Sequence, residues 1–110
     1  SYSSFVQRSL AQGLQVYEGL RAAGLIEVGD EEMKALLMNT WVMAASWASF
    51  VHSMVPAERR DEELDRTLLR QGIYQIVCLE APYLRGDALQ HLAAMKARYS
   101  AGDTLELLFP

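Results

Sequence analysis

The side chains able to do chemistry are few and scattered. His52 and His91 are the only histidines, and Cys78 is the only cysteine. A metal site built into a helical bundle needs Glu-x-x-His pairs on facing helices. The residues three before the histidines are Ser49 and Ala88, so that pattern is missing. The His-Glu-x-x-His run of zinc proteases and the glycine-rich phosphate loop are missing as well. Cys78 and His91 could pair as nucleophile and base. However, Cys78 sits inside Ile73–Leu79, an apolar run where a thiol is expected to be an inert core residue. Glu31-Glu32 and Asp61-Glu62-Glu63 fall where helices are expected to start, and capping with the helix dipole accounts for them. No catalytic, metal or cofactor site is expected.

The more informative composition lies between Met33 and Met54. Trp41, Trp47 and Phe50 alternate with Met33, Met38, Met43 and Met54 and with small Ala and Ser. Such a mixture packs a core. It also builds a pocket with aromatic walls, adaptable methionines and a few orienting polar groups, here Asn39, Ser46, Ser49 and His52. His52 alone reads as a surface or partner-satisfied histidine.

The elements that must carry these residues follow from periodicity. Ser3–Ala23 repeats Phe5, Val6, Leu10, Leu14, Tyr17 and Leu20 at helical spacing, with Ser3 or Ser4 as cap and Gly24 as stop. Leu25–Gly29 is a short connection. Asp30 then caps a helix running to Val55, where Pro56 ends it. Asp61 caps a helix over Glu62–Glu80, stopped by Pro82, and Asp87 caps a last helix reaching Tyr99. Ala35–Ala57 holds no charged residue over 23 positions. As a helix this is roughly 35 Å, about a bilayer's apolar thickness. Its six polar residues and many alanines favour instead the central helix of a bundle, packed on all sides. The class is therefore all-α, an antiparallel bundle of about four helices in one domain, residues 1–110.

Composition narrows the function classes. The chain has 110 residues, 51% hydrophobic, with a net charge of −4. One domain fits that length. An acidic balance argues against this chain gripping nucleic acid by itself, because phosphate binding needs clustered positive charge. A single cysteine suits a reducing compartment, and no signal peptide opens the chain, so a cytoplasmic location is expected. The start at Ser1 without Met suggests a piece of a longer protein. Ile73–Leu79 carries more apolar surface than four helices can cover. That predicts self-association, with Gly72 admitting a partner helix, unless the tail Leu105–Phe109 covers the patch.

Three stretches together resemble a known family. They are Leu20-Arg21-Ala22-Ala23-Gly24-Leu25-Ile26, then Trp41 with Trp47-Ala48-Ser49-Phe50, then Leu69-Arg70-Gln71-Gly72-Ile73 leading to Ala81-Pro82-Tyr83-Leu84. From Phe5 to Tyr99 the chain resembles the C-terminal domain of TetR-type (tetracycline-repressor-like) bacterial transcriptional regulators. The resemblance implies an effector-binding and dimerisation domain of a repressor, whose DNA-binding helix-turn-helix is absent from this chain. It implies a homodimer through the last two helices, here Leu69, Gly72, Ile73, Ile76, Val77, Leu89, Leu92 and Met95. It also implies a small hydrophobic effector against Tyr17, Met38, Trp41, Ala45, Trp47 and Phe50. DNA is then reached only through the absent domain, and neither membrane nor enzyme activity is implied. The alternative is a helical module that binds another protein and no small molecule.

Overall fold

A computed structural model describes residues 1–99 and residue 109. Among them are four helices: α1 (Tyr2–Ala22), α2 (Asp30–Met54), α3 (Glu62–Glu80) and α4 (Gly86–Tyr99). Short 3₁₀ turns cover Ala57–Arg59 and Ala81–Tyr83. Each helix packs on the next along the chain. The all-α class and the four helices agree with the sequence reading. No helix among the described residues is long and apolar enough to cross a membrane.

The helix ends have local causes. Ser1, not Ser3 or Ser4, caps α1, its hydroxyl accepting from the Ser4 N–H at 3.3 Å. At the other end Gly24 takes φ +75°, which lets its N–H reach the Arg21 carbonyl and the Leu25 N–H reach the Leu20 carbonyl. These two bonds satisfy carbonyls that a helix end leaves open. Gly29 is the cap residue of α2, so Asp30 moves inside the first turn. There it lies 2.8 Å from the Arg21 guanidinium, which ties the start of α2 to the end of α1. Asp61 does cap α3, its carboxylate accepting from the Leu64 N–H at 2.8 Å. α4 starts one residue ahead of the expected cap, at Gly86, with Asp87 in the first turn.

The connection over residues 25–29 does more than link two helices. Ile26 forms an antiparallel bridge with Leu84. The Glu27 N–H donates to the Tyr83 carbonyl at 2.8 Å, and the Arg85 N–H donates to the Leu25 carbonyl at 2.9 Å. Arg85 Nε also meets the Glu27 carboxylate at 3.0 Å. This clasp fastens the α1–α2 loop to the α3–α4 turn. Gly86, at φ +58°, lies so near the Gly24 carbonyl that a Cβ there would stand 3.3 Å from its oxygen.

The buried core is in two parts. Tyr17, Ile26, Val28, Met33 and Leu36 form one cluster beside the clasp. Val51, Val55 and Leu68 form a second at the far end of α2, flanked by Trp47 and Leu64. Between them, from Leu37 to Phe50, no residue of α2 is buried. The expectation of a central helix packed on all sides is therefore corrected. α2 is uncharged along its middle because that middle is uncovered apolar surface, with Met38, Val42 and Phe50 all 43–50% exposed. Cys78 is likewise half-buried rather than in the core. The tail residues 105–108 lie outside the described residues, and Phe109 is exposed.

Candidate functional site

The middle of α2 and the outer face of α3 form the candidate site. Trp47 connects them. Its indole N–H donates to the Leu68 carbonyl at 2.8 Å. Its ring lies over Gly72, where a Cβ would stand 2.7 Å from Trp47 Cδ1. Gly72 therefore admits the chain's own tryptophan and not a partner helix; that expectation is corrected by the ring that already fills the place. Phe50 rests on Trp47 with ring centroids 5.6 Å apart. Beside them a groove of about 130 Å³ is lined by Met43, Ala44, Trp47, Leu69, Gly72, Ile73 and Ile76. Residues expected to bind a ligand and residues expected to bind a second copy thus meet in one groove.

The other expected ligand residues are not gathered there. Trp41 is half-buried and meets the Tyr2 ring edge-on, 6.5 Å away. Met38 and Ala45 are exposed on α2. Tyr17 belongs to the core cluster beside the clasp. Its hydroxyl lies 3.3 Å from Thr40 Oγ1 and next to Glu80 at the end of α3. Burial pushes the Tyr17 phenol up to about 12, the bond with Thr40 opposes that, and the Glu80 charge adds to it. Burial also raises the Glu80 carboxyl, while the neighbouring Tyr17 hydroxyl favours its charged form. Thr40 and Glu80 were not anticipated. The one available signal was a phenol on an apolar stripe, which needs a polar partner when buried.

Gln71 was also missed. It is wholly buried, yet neither Oε1 nor Nε2 finds a hydrogen-bond partner among the described residues. A glutamine on the Leu64–Leu68 face of α3 breaks the apolar pattern, and that was its signal.

On the expected dimer face, Leu69 and Leu89 are 64% and 50% exposed. Ile73, Ile76, Val77, Leu92 and Met95 are half-buried. Among the described residues no group of three or more His, Cys, Asp or Glu is placed to hold a metal ion. The site offers apolar surface, aromatic faces and little else.

A chain whose described residues form four helices in this order matches a known family. The model of the TetR bacterial transcriptional repressors matches residues 1–92. The chain belongs to the TetR family. A TetR-family transcriptional regulator from Marinobacter aquaeolei VT8, known by crystal structure, is similar to it at a TM-score of 0.73 with 28% identity. The match covers 91% of this chain and 45% of that chain, so this TetR chain spans less than half the length of that regulator. No curated protein matches it.

Proposed function

We propose that this TetR-family chain is the regulatory part of a bacterial repressor, with two tasks. It pairs with a second copy through α3 and α4, using Leu69, Ile73, Ile76, Val77, Leu89, Leu92 and Met95. It also takes a small apolar effector against α2, with Trp47 and Phe50 at the groove, Met38, Trp41 and Ala45 farther along the uncovered helix, and Tyr17 in the core at its clasp end. Effector and dimer arrangement are linked. A ligand that prefers one arrangement shifts the spacing of two DNA-reading segments, and so the affinity for a two-fold operator. Such a protein acts in the cytoplasm.

The observation that carries this reading is the continuity of uncovered apolar surface from the middle of α2 across the groove to Leu69 on α3. Fully burying one large apolar side chain contributes about 1.5–3 kcal/mol. Association costs about 4–15 kcal/mol in lost freedom of motion. One Leu–Leu contact cannot offset that, whereas a whole row meeting its two-fold mate can.

Sedimentation equilibrium of the purified chain tests the pairing, and a monomer at high concentration overturns it. A thermal-shift screen with uncharged apolar compounds tests the effector, since a binder raises Tm by mass action. Trp41→Ala should abolish the shift produced by any such binder; an unchanged shift removes this face of α2 from the site.

A further inference from the structure

A second cleft lies on the other side of Trp47, between the last turns of α2 and the first turns of α3. Its volume is about 150 Å³. Trp47, Val51 and Leu68 form an apolar floor, and His52, Arg60 and Asp65 stand at its polar edge. We infer that this cleft binds a monocyclic aromatic carboxylate, its ring on Trp47 and Leu68 and its carboxylate on Arg60.

Size points to the ring. An apolar protein cavity of roughly this volume holds one benzene molecule. Trp47 cannot turn away to close the space, because its indole N–H is held by the Leu68 carbonyl. The aromatic wall is therefore fixed before a ligand arrives.

Charge points to the carboxylate. The Arg60 side chain is only 19% exposed, so its guanidinium is held at the cleft rather than free in water. Nε and Nη2 both donate to a single oxygen, Asp65 Oδ1, at 3.1 and 2.9 Å. The fork of the guanidinium is thus not matched by the two oxygens of one carboxylate, the geometry it binds best. Nη1 lies against the His52 ring. Asp65 is half-exposed, and exposed ion pairs are weak. Asp65 also stands in the first turn of α3, where the helix dipole stabilises it without Arg60. An arriving carboxylate can take the fork with both oxygens while Asp65 turns to water.

This cleft stands on its own geometry and goes beyond the uncharged effector proposed above. Benzoate titrated into the ¹⁵N-labelled 110-residue chain supplies the test, with the Trp47 indole N–H signal as reporter. Benzoate should move that signal saturably. Benzyl alcohol, which keeps the ring without the charge, and acetate, which keeps the charge without the ring, should each bind about tenfold more weakly or worse. Arg60→Gln should weaken benzoate by at least about tenfold. Asp65→Asn, which frees the fork, should tighten it. Asp65→Asn keeps the idea falsifiable if Arg60→Gln misfolds. No saturable shift with benzoate, equal binding by Arg60→Gln, or weaker binding by folded Asp65→Asn each overturns the proposal. Failure here leaves the apolar-effector reading intact, because the uncharged screen tests that separately.

Discussion

The Trp47 ring occupies the space above Gly72, held there by its bond to the carbonyl of Leu68 one turn earlier on α3. The contact sets how closely α2 and α3 approach and separates the groove from the cleft. A Cβ at Gly72 would meet Trp47 Cδ1 at 2.7 Å and Nε1 at 2.8 Å. Alanine is better than glycine in a helix by about 1 kcal/mol. Overpacking a rigid, bonded ring costs about 1–3 kcal/mol. Gly72→Ala should therefore lower Tm, by about 4–8 °C for each net kcal/mol lost. Gly13→Ala makes an instructive contrast. Its Cβ would meet Leu37 Cδ1 at 2.6 Å, the far end of a flexible side chain that can turn aside. Its melting temperature should fall by less than half as much, as thermal unfolding by circular dichroism will show.

Gln71→Met should stabilise the protein. The amide is wholly buried and has no hydrogen-bond partner among the described residues, and leaving a buried polar group unsatisfied costs about 1–3 kcal/mol. Methionine has nearly the same volume and no bonds to lose. A higher denaturant midpoint with an unchanged slope is the expected result; a lower midpoint means that something satisfies the amide.

Glu80 should weaken the fold as pH rises. Burial raises its carboxyl above the ordinary carboxylate range, so the folded state holds the proton more tightly than the unfolded chain. That stability is fully present below the unfolded pKa and is lost as pH rises through the folded one. Glu80→Gln should remove this loss and raise Tm at neutral pH relative to the parent. Tyr17 has the same sign at the alkaline end, and its contribution should fade between pH 10.0 and about 12. Thermal melts across the two pH ranges check both.

Leu69→Asp should separate folding from pairing. At 64% exposure the side chain contributes little within one chain, and surface changes of this kind stay within about 0.5 kcal/mol. In the proposed dimer it places a charge in an apolar face. The variant should keep its helical circular dichroism and Tm at low concentration, yet sediment as a monomer where the parent does not.

Much of the fold was legible because its causes are local. Asp61 caps α3, Pro56 follows the end of α2 and Gly24 turns the end of α1, all as the residue types require. Where the reading slipped by a residue or two, as at Ser1 and Gly29, the cap lay just outside the apolar stripe. The uncharged run of α2 was visible, but its exposure was not. An apolar residue looks the same in a sequence whether its cover comes from its own chain or from something else. The candidate site was less legible still. Trp47–Gly72 and Tyr17–Thr40 join residues that share no period and are created by the packing of one helix on another, while Arg60–His52 is created by the fold of the α2–α3 connection back onto α2.

The clasp between residues 25–27 and 83–85 has a mechanical consequence. It turns α2 and α3 into a closed ring, while α1 ends and α4 begins at the same fastened corner. Neither helix of the ring can slide along the other without breaking the backbone bonds of the clasp. α1 and α4 are thus tied to each other through the two backbone hydrogen bonds of the clasp, and a substitution that breaks those bonds loosens both helices at once.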